Sequence, residues 1–220
     1  AAIAYTVGHG GLGVLWNLAW LVTTLYVALI VLIFCVFLPI AIMFRVPIRK
    51  FAMAVKEPAV IAFSTTSSEA ALPRAMEVLE RLGVPRRIVS FVLPLGYSFN
   101  LDGSTLYLSL AAVFVAQAAG VQLTIGQQVT MLLTLMLTSK GVAGVPRASL
   151  VILAGTLASY GLPLEGITLI LGVDELMDMA RTMTNVIGNC LATVVIAKWE
   201  GEFVEASDQE LAVAAARGEI

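Results

Sequence analysis

Residues 174–189 read DELMDMARTMTNVIGN. Asp174, Asp178, Arg181, Thr182, Asn185 and Asn189 fall at offsets 0, 4, 7, 8, 11 and 15 along that stretch. Side chains three or four residues apart share one helix face. A helix here therefore carries a single polar stripe, with Met177, Met183, Val186 and Ile187 on the other side. What that helix passes through is decided by its surroundings. Of the 220 residues 59% are apolar and 13% charged, against roughly 45–50% and 25% in an average soluble domain, and the mean hydropathy is +0.94. No Asp, Glu, Lys or Arg occurs over 1–44 or 103–139, and about 20 such residues cross a hydrocarbon core. The chain reads as an all-α membrane protein. A water-soluble enzyme and a disordered segment are excluded by the hydropathy. A nucleic-acid binder is excluded by a formal net charge of -2 without a dominant cationic cluster. Each ionised side chain at mid-bilayer costs about 2.5–3.5 kcal/mol, so the polar stripe has to look into a protein interior.

Working outward, the chain divides into two similar halves. Residues 1–8 look like the end of one helix, broken by Gly8, Gly10, Gly11 and Gly13. Residues 14–44 supply one tilted span with Pro39 near its end, closed by Arg45, Arg49 and Lys50. The apolar piece 51–63 is too short to cross and runs through STTSSE at 64–69 into an amphipathic piece, 72–82. That pattern predicts a re-entrant helical hairpin over 51–83. Residues 88–118 are again span-length, but GYSFNLDG at 96–103 sits in the centre, which predicts a broken helix. A second hairpin over 124–160 surrounds TSKGVAGVP at 138–146, and its tip AGVPRA at 143–148 rhymes with AALPRA at 70–75. A last helix over 165–198 precedes a polar tail, 199–220. The span-then-hairpin order in both halves points to an inverted internal repeat.

Ten Lys and Arg, namely 45, 49, 50, 56, 74, 81, 86, 87, 198 and 217, flank the first hairpin or follow the last span. Positive flanks stay inside, so the first hairpin should open to the cytoplasm, the second to the opposite face, and the C-terminus should be cytoplasmic. Cys35 and Cys190 lie in apolar runs and read as small buried hydrophobes. The chain begins inside apolar sequence at Ala1 with no signal peptide pattern, as expected of a fragment.

The stripe has a chemistry. Arg181 offers a planar fork for a carboxylate and Asp178 an acceptor for an ammonium group, a pairing that fits an acidic amino acid. The plainer alternative is that the two merely neutralise each other, but Thr182, Asn185 and Asn189 then have no reason to continue the line. The break at 98–103 exposes carbonyls beside Asp102, oxygen ligands suited to a hard cation such as sodium; a Gly kink capped by Asn is its bland reading. The hairpin tips at 64–68 and 141–144 present N–H groups and hydroxyls that favour anions, unless they are simple loops. Three rival functions compete. A site for a C4-dicarboxylate needs Arg181 but has no use for an ammonium acceptor. An intramembrane aspartyl protease would use Asp102 and Asp174 but leaves Arg181 and the hairpins unexplained. A non-catalytic membrane subunit is the third.

Ser67-Ser68 ahead of Leu72-Pro73, Asn100-Leu101-Asp102-Gly103, SKGVAGVP at 139–146 and Asp178-Met-Ala-Arg181-Thr182-Met-Thr-Asn185 together resemble the glutamate transporter family, the dicarboxylate and amino acid:cation symporters. The likeness runs over about residues 1–199, and its type is the bacterial proton/sodium-glutamate symporter. It implies no enzyme but an elevator-type symporter of the inner (plasma) membrane, usually a homotrimer, taking up glutamate or aspartate. Its coupling ions would be protons, sodium or both, with no other cofactor. Residues 1–8 would end the fifth, scaffold helix and 14–198 would form the transport domain, the first four helices and most of the fifth lying outside this sequence.

The same resemblance assigns roles. Arg181 would hold the substrate side-chain carboxylate and Asp178 its amino group. Thr182 and Asn185 would contact its backbone end with Ser68, Gly144 and Val145, beside Thr66, Ser67 and Ser104. Gly96, Asn100, Asp102, Asn185 and Asn189 would line cation sites, with Ser98 and the backbone of Ser139, Lys140 and Val142 forming another. The second hairpin would be the outer gate. Two departures bear on the ion. Asn189 stands where sodium-driven members carry Asp, and Leu108 where animal members carry an acidic proton carrier. Bacterial proton-coupled members are similar to this chain at Asn189, which leans toward proton coupling, with or without sodium and with Glu69 or Asp102 as carrier. Arg147 replaces a small residue after the second hairpin's Pro, and nothing in the sequence explains it.

Overall fold

The computed structural model describes residues 12–140 and 148–205, and among them all regular structure is helical. Readings that fall on residues 1–8, on 141–147 or beyond 205 lie outside the described residues. Helix α1 (Leu12–Leu32) passes through one wide turn, Ile33–Phe37, into α2 (Leu38–Met43). Pro39 accounts for the wide turn. It has no N–H to give to Cys35, and its ring would strike that carbonyl in a regular helix. The backbone instead takes an extra residue, Leu38 N–H reaching back five positions to Ile33 O. Phe37 is thereby buried, while Cys35 is exposed, contrary to the expectation that both cysteines are interior.

Helices α3 (Ile48–Thr65) and α4 (Ser68–Leu82) pack on each other. The chain reverses through Thr66, whose φ is 51°. Ser67 then caps α4, its Oγ accepting from the Ala70 N–H at 3.3 Å. The expected break at 96–103 is narrower than its glycines and polar residues suggest. Helix α5 (Arg86–Phe99) runs through Gly96 and Ser98, and α6 (Asp102–Ala118) begins at Asp102, so only Asn100 and Leu101 are non-helical. Helix α7 (Ile125–Thr138) opens with a reciprocal cap between Thr124 and Gln127, and packs on α8 (Ala148–Ser159). The last helix, expected to be continuous from 165, is two: α9 (Gly166–Ile170), then a turn, then α10 (Asp174–Trp199). Asp174 and Glu175 in the first turn of α10 favour that start, since carboxylates stabilise a helix N-terminus.

Helix α10 is the axis of the molecule, touching α1, α3, α4, α5 and α6. At 26 residues and 1.5 Å per residue it is about 39 Å long. Its ends lie in two different apolar cores. The first gathers Phe37, Phe51, Val55, Leu79, Leu82, Val89 and Leu93 around Val186, Cys190, Leu191 and Val194. The second gathers Leu21, Leu25, Leu29, Leu108, Val115, Met131, Leu135, Leu153 and Leu157 around Met177 and Ala180. Met177 and Val186, on the side away from the polar stripe, are packed against neighbouring helices. Between the cores α10 carries its polar residues. The outer surface is apolar, with Trp16, Trp20, Phe91, Ile125, Leu137 and Val151 all more than half exposed, as suits lipid or a packed neighbour.

Past α10 the chain folds back onto the α4–α5 junction. Val204 N–H donates to Gly83 O at 3.1 Å, Lys50 pairs with Glu205 at 2.9 Å, and Arg87 pairs with Glu202. The Arg87 guanidinium holds the Glu202 carboxyl below the usual carboxylate range. Gly83 is required here: its φ is +114°, and a Cβ would lie 1.8 Å from Val204 O.

Gly188 makes the sharpest test of the packing between the wide turn and α10. A Cβ there would sit 2.8 Å from the Phe37 ring. Gly188→Ala should lower stability by about 1–3 kcal/mol through overpacking, and adding Phe37→Leu should recover part of the loss. Thermal unfolding of the detergent-purified protein reads both. Equal destabilisation of the single and double variants would show that the ring is not the obstacle.

Candidate functional site

The polar belt of α10 is buried. Asp174, Asp178, Arg181, Thr182, Asn185 and Asn189 are each 6% exposed or less, so the helical spacing does bring the six to one interior. A buried guanidinium needs partners. Arg181 Nε donates to Asp178 Oδ1 at 2.8 Å, and Thr182 Oγ1 donates to the same oxygen at 2.8 Å. The flat face of the guanidinium lies 4.1 Å from the Tyr107 ring centroid, a cation–π contact strengthened by desolvation. Tyr107 in turn donates its O–H to Asp174 Oδ1 at 2.6 Å. Arg181 Nη1 is buried and has no hydrogen-bond partner among the described residues.

One turn on, α10 meets the break between α5 and α6. Asn185 uses both ends of its amide there, its Oδ1 accepting from Gly103 N–H at 2.8 Å and its Nδ2 donating to Ser104 Oγ at 2.9 Å. The first bond satisfies an orphan N–H at the start of α6. Gly103 permits the approach, since a Cβ would lie 2.6 Å from Arg181 O. Asn189 Nδ2 reaches Asn100 O at 3.4 Å, and Gly96 is needed beside it because a Cβ would meet Asn189 Oδ1 at 2.3 Å. Oriented with its nitrogen toward Asp102, the Asn100 amide donates to Asp102 Oδ2 at 2.9 Å. Asp102, half-buried, also faces Gly188, whose Cβ position is 3.5 Å from its Oδ2. Gly96, Asn100, Asp102, Asn185 and Asn189 thus converge on one break rich in oxygen atoms.

The remaining candidates stand further out. Thr66, Ser67 and Ser68 occupy the α3–α4 junction, Thr66 and Ser68 buried and Ser67 engaged as a cap. Glu69 is exposed in the first turn of α4. Ser98 sits in the last turn of α5 and Ser139, 1% exposed, at the end of α7. Lys140 puts its ammonium, not only its backbone, at the break: Nζ donates to Phe99 O at 2.7 Å. Val142, Gly144, Val145 and Arg147 lie outside the described residues. Tyr107 was missed as a site residue. It reads as one aromatic in the charge-free run 103–139, and only packing brings it under Arg181. Asp174 had a signal, its place at the head of the stripe.

Two buried carboxylates, Asp174 and Asp178, thus lie with the Arg181 guanidinium beside a break between two helices. Residues 1–199 match the model of the sodium:dicarboxylate symporter family. The chain belongs to that family, a family of membrane symporters, not enzymes. It is 52% identical over 203 residues to the proton/sodium-glutamate symport protein of Bacillus subtilis (strain 168), covering 92% of this chain and 47% of that protein. Against the proton/glutamate-aspartate symporter of Escherichia coli (strain K12) it is 50% identical over 203 residues, 92% of this chain and 46% of the relative. A C4-dicarboxylate transport protein of Bacillus subtilis (strain 168) is 45% identical over 210 residues, 95% of this chain and 50% of the relative. The chain spans about half the length of these relatives.

Asn185 ties α10 to α6 through two bonds that Ala cannot make. Asn185→Ala should cost about 1–3 kcal/mol, the penalty for orphaning a buried donor and a buried hydroxyl. Thermal unfolding measures it, and a loss below about 0.5 kcal/mol would show that other groups take over both bonds.

Proposed function

We propose that this chain forms the substrate- and ion-binding part of a secondary active symporter that takes up glutamate or aspartate with protons, sodium or both. The observation that carries it is Arg181: a buried guanidinium, already held by Asp178 and Tyr107, with Nη1 lacking a partner among the described residues. A substrate carboxylate satisfies that donor with a charge-assisted bond. Asp178 supplies the negative charge for the substrate's ammonium, and Thr182, Asn185, Ser104 and the α3–α4 junction at 66–68 complete the pocket with Gly144 and Val145. The names of the relatives, two of them glutamate symporters, support the same reading.

The cation site is assigned to the helix break, where Gly96, Ser98, Asn100, Asp102, Asn185 and Asn189 offer carbonyl, amide and carboxylate oxygens, with Ser139, Lys140 and Val142 approaching from the second hairpin. Asp102 is the better proton carrier, being half-buried there while Glu69 is exposed. The α3–α4 and α7–α8 pairs act as oppositely oriented re-entrant hairpins. The assembly is an elevator-type homotrimer in the inner (plasma) membrane, C-terminus in the cytoplasm. The second reading, a C4-dicarboxylate symporter, is favoured by one relative's name; a dicarboxylate uses Arg181 but not the charge of Asp178.

The full-length protein in proteoliposomes, with sodium and proton gradients imposed separately, tests the proposal. Arg181→Ala should lower kcat/KM for glutamate about a hundredfold, the loss of one charge-assisted bond. Asp178→Asn should depress glutamate uptake far more than succinate uptake. Glutamate transport unaffected by Arg181→Ala overturns the carboxylate assignment, and equal losses of both substrates in Asp178→Asn overturn the ammonium assignment.

A further inference from the structure

Phe99 is the last residue of α5, so its carbonyl is one of the four at a helix C-terminus without an intrahelical partner, at the negative end of the helix dipole. Three other carbonyls around the break accept from nearby backbone or an amide. Gly96 O accepts from Asn100 N–H at 2.7 Å and Leu101 O from Thr105 N–H at 2.9 Å. Asn100 O accepts from Asn189 Nδ2 at 3.4 Å. Phe99 O accepts from a cation instead, the Lys140 ammonium, 41 positions along the chain and 2.7 Å away. The base of that side chain is anchored: Ser139 before it is buried and closes α7 through its N–H to Leu135 O at 2.9 Å.

We propose that Lys140 is a tethered cation, filling with its own ammonium a position at the helix break that a dissociable sodium ion would otherwise take. Three features fit together in this. An ammonium and a sodium ion both seek carbonyl and carboxylate oxygens. The break presents the orphan carbonyl of Phe99 and the carboxylate of Asp102. The positive charge is delivered covalently from α7, so it cannot leave, and it joins the end of α7 to the end of α5 at the same time. Lys140 is thus a determinant of ion specificity acting through occupancy, a role that rests on the symport reading above for its physiological meaning but not for its measurement.

Replacing Lys140 by Met should open the position to sodium. In thermal unfolding of the full-length protein in detergent, titrated with NaCl against choline chloride at equal ionic strength, Lys140→Met should start from a lower Tm and gain from sodium. Its apparent sodium affinity should be about tenfold tighter than wild type, the factor of one charge-assisted hydrogen bond. Lys140→Arg, which keeps the charge, should retain the wild-type response, and Lys140→Gln repeats the measurement if the Met variant does not purify folded. In proteoliposomes the KM for glutamate of Lys140→Met should become steeply sodium-dependent. A sodium response equal to wild type, a lost Tm restored equally by choline, or the same sodium gain in Lys140→Arg would overturn the proposal. Failure of the transport reading shows up differently, as absence of uptake in the wild type with the thermal result intact.

Discussion

Arg181 sets the terms for everything around it. A guanidinium removed from water costs several kcal/mol even after relaxation, and removing its partner costs a further 3–5 kcal/mol or so. The partner on the same helix, Asp178, comes at no topological cost because three residues along α10 place it alongside. The aromatic face does not. Tyr107 belongs to α6, and its ring can lie 4.1 Å from the guanidinium only if α6 starts hard against α10. Gly103 makes that approach possible, being the residue whose missing Cβ would collide with the Arg181 carbonyl. One buried charge therefore dictates where a second helix begins.

A helix beginning in the middle of the molecule leaves exposed N–H groups on one side and carbonyls on the other. Such groups need partners from outside their own helix. The polar belt of α10 answers the first set, Asn185 taking the Gly103 N–H. Asn189 and Lys140 answer the second, at Asn100 O and Phe99 O. The belt and the break are complementary halves of one hydrogen-bonding problem. Both lie between two apolar cores that share no helix more fully than α10.

Much of this was readable in the chain because periodicity survives burial. The six polar residues from Asp174 to Asn189 announce one helix face whatever packs against it, and they are all interior. Composition was less exact about the break: GYSFNLDG reads as a long irregular segment, yet Gly96 and Ser98 stay helical because Gly96 is there for close approach to Asn189 and not for a bend. Pro39 marks a disturbance, but whether a proline kinks, ends or widens a helix depends on neighbours, and here it widens it and turns Cys35 outward. Tyr107 and the Lys140 ammonium were illegible for a common reason. Each acts across dozens of residues on a group that only the folded topology places beside it.

Because α10 threads both apolar halves and the belt between them, its length is a shared dimension. One residue inserted between Asp178 and Asn189 would turn everything beyond it by about 100° and push it along by 1.5 Å. Val186, Cys190 and Val194 would then swing out of the first core while the amides missed the chain break in the same stroke. Connections such as 119–124 and 160–165 carry no such constraint, whereas this segment behaves as a ruler against which the two ends of the molecule are kept in phase.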